Sequence, residues 1–224
     1  MILLHTNMAR KGANRPSMLS LKIVHNLYIN KNGITIKDLS KNIQTDYKNV
    51  YDSVSILFNE GVIKKEKIGN YNICKLNYSN EDIAEYLKEY DFYVKSRGFR
   101  KKHPIEYRII IETCEQLKKE MSPFFICLVF GSYAKNEEQK GSDIDILFLT
   151  FFSKAEGMIK KILNKINAPY QKKFHIIEQS IENFIKDLKN KDKLSIATEI
   201  YKEPPIVFYG DDIFFKIMVD ANKP

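Results

Sequence analysis

The sequence predicts an α+β protein: an N-terminal set of short helices closed by a β-hairpin, a helical connector, and a larger C-terminal part built on a small mixed sheet. Three observations carry this expectation. Across residues 17–78 apolar side chains fall at helical spacing in three successive stretches, and the period then shortens to that of two strands around Gly69-Asn70. Two compact apolar runs, at 124–130 and 146–149, bracket Gly131-Ser132 and an Asp-x-Asp pair. Further apolar strand-like runs at 172–178 and 206–209 alternate with helical stretches, as a sheet covered by helices requires.

Composition fits a packed globular chain. Of 224 residues, 44% are apolar and 29% charged, and 9 Gly with 7 Pro exclude collagen-like or low-complexity architecture. No window approaches the ~20 apolar residues of a membrane span, and the apolar opening at 1–4 is too short for a secretory signal core. Cys74, Cys114 and Cys127 are odd in number and lack Cys-x-x-Cys spacing, so they read as reduced thiols. The expectation is a soluble, cytoplasmic protein with no membrane partner.

Charge is unevenly placed. Residues 1–77 hold 12 Lys and Arg against 5 Asp and Glu, net +7, while the remainder of the chain is net +1. Positive potential gathered in one third of a chain suits a polyanion through counterion release. A solvated basic surface is the plainer alternative.

The elements come in order. Residues 1–16, with Arg10, Lys11 and Arg15, read as a basic tail. Leu19, Ile23, Val24 and Leu27 share a helix face that ends at Asn32-Gly33. Thr35 with Asp38 resembles a capping box opening a helix with Ile36, Leu39 and Ile43 inward. Thr45 or Asp46 caps the next helix, whose core stripe is Val50, Val54, Leu57 and Phe58, and Gly61 stands where a left-handed C-cap belongs. Strands start at Val62-Ile63 and return over 71–76. Three helices and a hairpin with a charged tip, over 17–78, resemble the winged helix-turn-helix family. That resemblance implies a third helix presented to the major groove of double-stranded DNA, with Tyr47, Lys48, Asn49 and Tyr51 placed to reach it. Lys64, Lys65 and Lys67 on the wing would meet phosphates. Asp52 departs from the pattern, since it would repel phosphate. The competing use of such a module is dimerisation or docking.

Residues 79–103 read as a connector. A helix from Asn80 to about Arg97 carries Ile83, Leu87, Tyr90 and Val94 at helical spacing, and its length and aromatics suggest a homodimer contact. A basic joint of Arg97, Arg100, Lys101 and Lys102 precedes Pro104, which opens another helix and the 104–224 part.

The chemistry lies in "LVFGSYAKNEEQKGSDIDILFL". Gly131, Ser132, Tyr133, Ala134, Ser142, Asp143 and Asp145 resemble the mark of the DNA polymerase beta-like nucleotidyltransferase superfamily, in its small prokaryotic form. Residues two apart on a strand share a face, so Asp143 and Asp145 converge as Mg²⁺ ligands, with substrate phosphates and water completing the shell. Gly131 lets the backbone come close, and Ser132 with the following N–H groups faces a triphosphate; Ser142 completes the nucleotide-binding set. The resemblance implies attack of an acceptor hydroxyl on the α-phosphate of a nucleoside triphosphate, ATP first among them, with one or two Mg²⁺ ions and pyrophosphate leaving. Relatives of this type modify drugs or adenylylate a partner toxin, which makes a protein acceptor one candidate beside nucleic acids and small molecules.

The family's third carboxylate belongs on the strand at 172–178, where His175 occupies the expected position and Glu178, three residues on, faces away on an ideal strand. Histidine is a poorer Mg²⁺ ligand, but it can act as a base. Asn136 also replaces a glycine common in the family. Helices are expected at 153–167, 180–190, 193–201 and 213–219, with Asp211 and Asp212 as N-caps of the last. These residues point to two functions: a nucleotidyltransferase coupled to a DNA-binding module, or a DNA-binding regulator that senses nucleotide without turnover. A docking protein with no nucleotide affinity is the third.

Overall fold

The computed structural model describes residues 15–120, 125–151, 156–190 and 193–223. The expected basic tail falls outside these residues except for its last two, and so do Phe124 and residues 153–155 of the expected strand and helix.

The chain opens with α1 (Met18–Ile29), capped by Ser17, whose hydroxyl accepts the Ser20 N–H at 3.0 Å. A short strand not foreseen from the sequence, β1 (Ile34–Thr35), leads into α2 (Ile36–Ile43). Thr35 caps α2 by accepting the Asp38 N–H at 3.1 Å while donating to the Asp38 carboxylate at 2.7 Å. In α3 (Tyr47–Asn59) neither Thr45 nor Asp46 supplies the expected side-chain cap: Asp46 stands at the N-cap without a bond and the Thr45 hydroxyl turns back to the Ile43 carbonyl. Val50, Val54 and Leu57 are buried, but Phe58 is exposed. One residue past Leu57 is a 100° rotation about the axis, which carries Phe58 off the buried face. Gly61, at φ +72°, closes the helix: its N–H reaches the Phe58 carbonyl and the Val62 N–H reaches Leu57, the paired bonds of a Schellman motif. The hairpin β2 (Ile63–Ile68) and β3 (Tyr71–Leu76) joins β1 in an antiparallel sheet ordered β1-β3-β2.

The connector departs from regular spacing. It comprises α4 (Ile83–Tyr90), a π-helical turn at Asp91–Ser96, and α5 (Arg97–Lys102). The wider turn shifts side-chain directions about the helix axis, so Asp91 and Ser96 become buried while Val94 is only half-buried. Its apolar face is covered within the chain by α1 and α11 (Asp211–Asp220). Pro104 then occupies the first position of α6 (Pro104–Glu120), where its missing N–H costs nothing.

The second sheet is mixed and ordered β6-β5-β4-β7: β4 (Phe125–Phe130) runs antiparallel to β5 (Ile144–Thr150) and to β7 (Ile206–Tyr209), and β6 (Phe174–Ser180) runs parallel to β5. Its two faces explain the unbroken apolar run of β4. Cys127, Val129, Ile146 and Phe148 pack against α6 and α8 (Glu156–Asn167). Ile126, Leu128, Leu147 and Leu149 pack against α9 (Ile181–Lys189), α10 (Ile196–Lys202) and α11. With apolar layers on both sides, consecutive strand residues are all buried. The second layer continues through Ile83 and Leu87 of α4 into the core of α1–α3 as one cluster. Gly210, not an aspartate, is the N-cap of α11; Asp211 and Asp212 lie in its first turn, and Asp212 pairs with Lys88 of α4 at 2.7 Å. The three cysteines are free and buried. Among the described residues no helix is long and apolar enough to cross a membrane.

Candidate active site

The site forms where β4 gives way to α7 (Gly131–Lys135) and β5 begins alongside. Phe130 pairs in register with Asp145, which places Gly131 directly against that carboxylate. Gly131 has φ +67°, and a Cβ built on it would stand 2.7 Å from Asp145 Oδ2. Both facts require glycine: the backbone is left-handed and the acid needs the space a methyl would take. Ser132 comes next as the second residue of α7, half-buried, its carbonyl accepting the Glu137 N–H at 2.9 Å.

Asp143 and Asp145 differ in setting. Asp143 precedes β5, is exposed, and makes no hydrogen bond or ion pair with another described residue. Asp145 is on the strand, its side chain 30% exposed, with Oδ1 at 2.9 Å from His175 Nδ1. The parallel register sets His175 beside Asp145, and its ring is 59% exposed. Glu178 lies opposite Phe148 and its carboxylate accepts the Thr150 hydroxyl at 3.1 Å. Three residues along the strand put Glu178 on the other face and toward the far end of the pair, so His175 is the side chain that meets Asp145. Among the described residues no group of three His, Cys, Asp or Glu side chains is gathered closely enough to hold a metal ion.

The loop between the two halves is held by its own bonds. Ser142 accepts the Gln139 N–H on its hydroxyl at 3.0 Å and donates its own N–H to the Gln139 carbonyl at 3.0 Å. Its side chain thus shapes the turn that delivers Asp143. Asn136 caps α7 at φ +58°, a left-handed conformation that glycine adopts freely and asparagine tolerates best among other residues. Glu138 pairs with Lys102 and stands 3.4 Å from His103, while Tyr133 packs edge-on to His103 with ring centroids 5.0 Å apart. Burial, helped by the Glu106 and Glu138 charges, raises the Tyr133 phenol above its usual range, so its hydroxyl stays protonated. Sequence reasoning did not assign these loop anchors. The one available signal was Lys102-His103-Pro104 at a helix junction, which also reads as a solvated joint.

On the N-terminal segment Lys48, Asn49, Tyr51, Lys64, Lys65 and Lys67 are all exposed. The structure brings together only some of them. Lys65 lies over the rings of Phe58 and Tyr51, with its Nζ 4.7 and 5.9 Å from their centroids, and Tyr51 stacks loosely on Tyr47 at 6.3 Å. Strand alternation puts Lys65 and Lys67 on one face of β2 and Lys64 on the other.

No curated protein and no solved structure matches the chain. The C-terminal architecture, α+β with a small mixed sheet, is consistent with a nucleotidyltransferase fold. Residues 107–204, from within α6 to just past the end of α10, match the family model described as a nucleotidyltransferase domain, which supports the nucleotidyltransferase superfamily for that part of the chain.

Proposed function

We propose that the chain transfers a nucleotidyl group from a nucleoside triphosphate, ATP first among them, to an acceptor hydroxyl, and that residues 17–78 serve as a DNA-binding winged helix-turn-helix. The observation that carries the first part is Asp145 seated against Gly131 inside a segment that matches a nucleotidyltransferase model. Asp143 and Asp145 are the metal ligands in this reading. Their hard carboxylate oxygens suit Mg²⁺, which needs only one or two carboxylates besides phosphate and water. When bound, Mg²⁺ supplies charge neutralisation at the phosphates.

The chain's own groups do the remaining work. The first N–H groups of α7 have no helical partner and, with the Ser132 hydroxyl, take phosphate oxygens, while the absent side chain of Gly131 lets them approach. Ser142 fixes the turn ahead of Asp143. His175 holds Asp145 through Nδ1 and presents its other nitrogen to the proton of the acceptor hydroxyl. Lys65 and Lys67 on the wing and Lys48, Asn49 and Tyr51 on α3 face DNA, with Lys64 reaching phosphate from the opposite strand face. A cytoplasmic setting belongs to the same reading.

The test is incubation with labelled ATP, Mg²⁺ and a panel of protein, nucleic-acid and small-molecule acceptors. Label should transfer with pyrophosphate release, and Asp143→Ala and Asp145→Ala should each abolish transfer without unfolding the protein. His175→Ala should slow it by about a hundredfold, in the range of a lost acid–base group. DNA affinity should fall steeply with salt, and the slope should flatten when Lys64, Lys65 and Lys67 are neutralised. One observation favours a second reading: an oxygen of Asp145 is engaged by His175 where a third carboxylate would stand. Nucleotide binding in calorimetry, with no transfer to any acceptor, would favour a regulator that senses nucleotide.

A further inference from the structure

Away from the candidate site, three aromatic side chains stand exposed along one line of α3. Tyr47, Tyr51 and Phe58 are each between 44% and 54% exposed. At about 100° per residue they fall within about 40° of one another around the helix axis, on the edge of the buried stripe of Val50, Val54 and Leu57. Single apolar residues scattered on a surface need no explanation, but three rings in line on one helix do. The line runs beside β2: Lys65 Nζ is 4.7 Å from the Phe58 ring centroid and 5.9 Å from that of Tyr51. Tyr47 and Tyr51 are nearly parallel, their planes 27° apart.

The charges that flank these rings on β2 are of one sign. Lys65 and Lys67 share the strand face toward α3, and neither forms an ion pair with another described residue. Glu66, the acid of β2, lies on the opposite face, where Lys75 takes it at 2.7 Å. Within α3 the one acid, Asp52, is turned about 100° or more from each ring. A second copy of the chain would set the same lysines against themselves, which disfavours a self-contact. A ligand made of flat apolar faces joined by anions answers both features, since rings stack on bases and ammonium groups meet phosphates. In a duplex those base faces are hidden inside the stack, so the surface fits unpaired bases.

We propose that Tyr47, Tyr51 and Phe58 form a stacking surface for single-stranded nucleic acid, with Lys65 and Lys67 tracking its phosphates. This rests on the nucleic-acid reading of residues 17–78 and names the strand form that α3 and β2 take. The contact of Lys65 with two of the rings is no obstacle. At an exposed site it is weak, and the flexible stem lets the ammonium swing to a phosphate as a base takes its place.

Fluorescence anisotropy of the full chain with labelled oligothymidine, oligouridine and a duplex of the same length, at one salt concentration, tests this. The better single strand should bind at least about fivefold tighter than the duplex, the worth of one stacked base, and its sugar names DNA or RNA. Tyr51→Ala and Phe58→Ala should each weaken that binding by about fivefold or more, while Tyr51→Phe keeps it. Ile56→Ala, which removes an exposed apolar side chain of α3 away from the rings, should change nothing. Replacing Lys65 and Lys67 with glutamine should flatten the slope of log affinity against log salt by about 1.4. A duplex bound as tightly as either single strand overturns the proposal and leaves DNA binding standing; binding to neither form overturns both. Single-strand affinity untouched by loss of either ring also overturns it, and a dimer that those variants dissociate in sedimentation would assign the rings to a contact between copies.

Discussion

Two aspartates in this chain share their surroundings with a histidine, and the two settings have opposite characters. Asp145 and His175 sit at the open end of the sheet in direct contact, and water reaches both. Asp91 and His25 line a buried joint between α1 and the π-helical turn, 4% and 8% exposed. The same residue types therefore serve different ends. A solvated carboxylate can exchange partners at little cost, because water replaces each bond it gives up. A buried one is bound into its bonds, because any unpaired state carries the full desolvation penalty. Burial pushes Asp91 up and Lys95 down, each opposed by the other's charge. Polar chemistry at the joint thus belongs to architecture, and polar chemistry at the sheet end to exchange.

The strongest way to break this comparison is Asp91→Ala. It leaves the Val207 N–H without its acceptor and removes the carboxylate charge that opposes the burial of Lys95, and should cost about 3 kcal/mol of stability in denaturant unfolding. A loss below about 1 kcal/mol, the size of an exposed ion pair, would mean the joint is open to solvent.

His25 sharpens the contrast through pH. Its folded value, about 3, lies below the ordinary 6.5, so the stability tied to it is complete above pH 6.5 and is lost as pH falls toward 3. Asp91, raised to about 7 by burial, has the opposite sign over the same window, and Lys95, Tyr28 and Tyr90 also face the ring. The clean measurement is therefore the difference between wild type and His25→Gln. Relative to wild type, the variant should gain about 2 kcal/mol between pH 7 and pH 5, at about 1.36 kcal/mol per unit below 6.5. A constant difference would show that folded His25 titrates like a free imidazole.

The smallest stability effect should fall at the open site. Gly131→Ala forces a left-handed alanine and presses a methyl on Asp145, for about 1 kcal/mol. Nucleotide affinity should drop far more than that figure suggests. Equal losses of stability and affinity would place Gly131 among purely structural glycines.

Much of this was legible because it is local. The Thr35 cap, the Gly61 terminus and the apolar runs of β4 and β5 arise from backbone preferences and burial that residues a few positions apart determine. The Gly131-Ser132 and Asp143–Asp145 phrase is local in the same way, although Asp143 falls in the turn just ahead of β5 and not on the strand that the two-residue spacing implies. The bond of His175 to Asp145 depends on a parallel register that only the fold supplies. The π-helical turn was invisible: α-helical spacing reads on through Val94, and what buries Asp91 is a strand more than a hundred residues later. Phe58 failed differently. An aromatic beside a core leucine looks buried until the helix rotation is counted, and here Lys65 covers its ring instead. The anchors of Glu138 were lost because their partners lie across a helix junction.

The placement of β7 and α11 has a consequence for biosynthesis. They leave the ribosome after every other described element, yet β7 borders β4, and α11 braces α4, which also packs on the first helix. Until they emerge, one edge of β4 and the apolar side of α4 remain uncovered on the nascent chain, exposed to chaperones and to premature pairing.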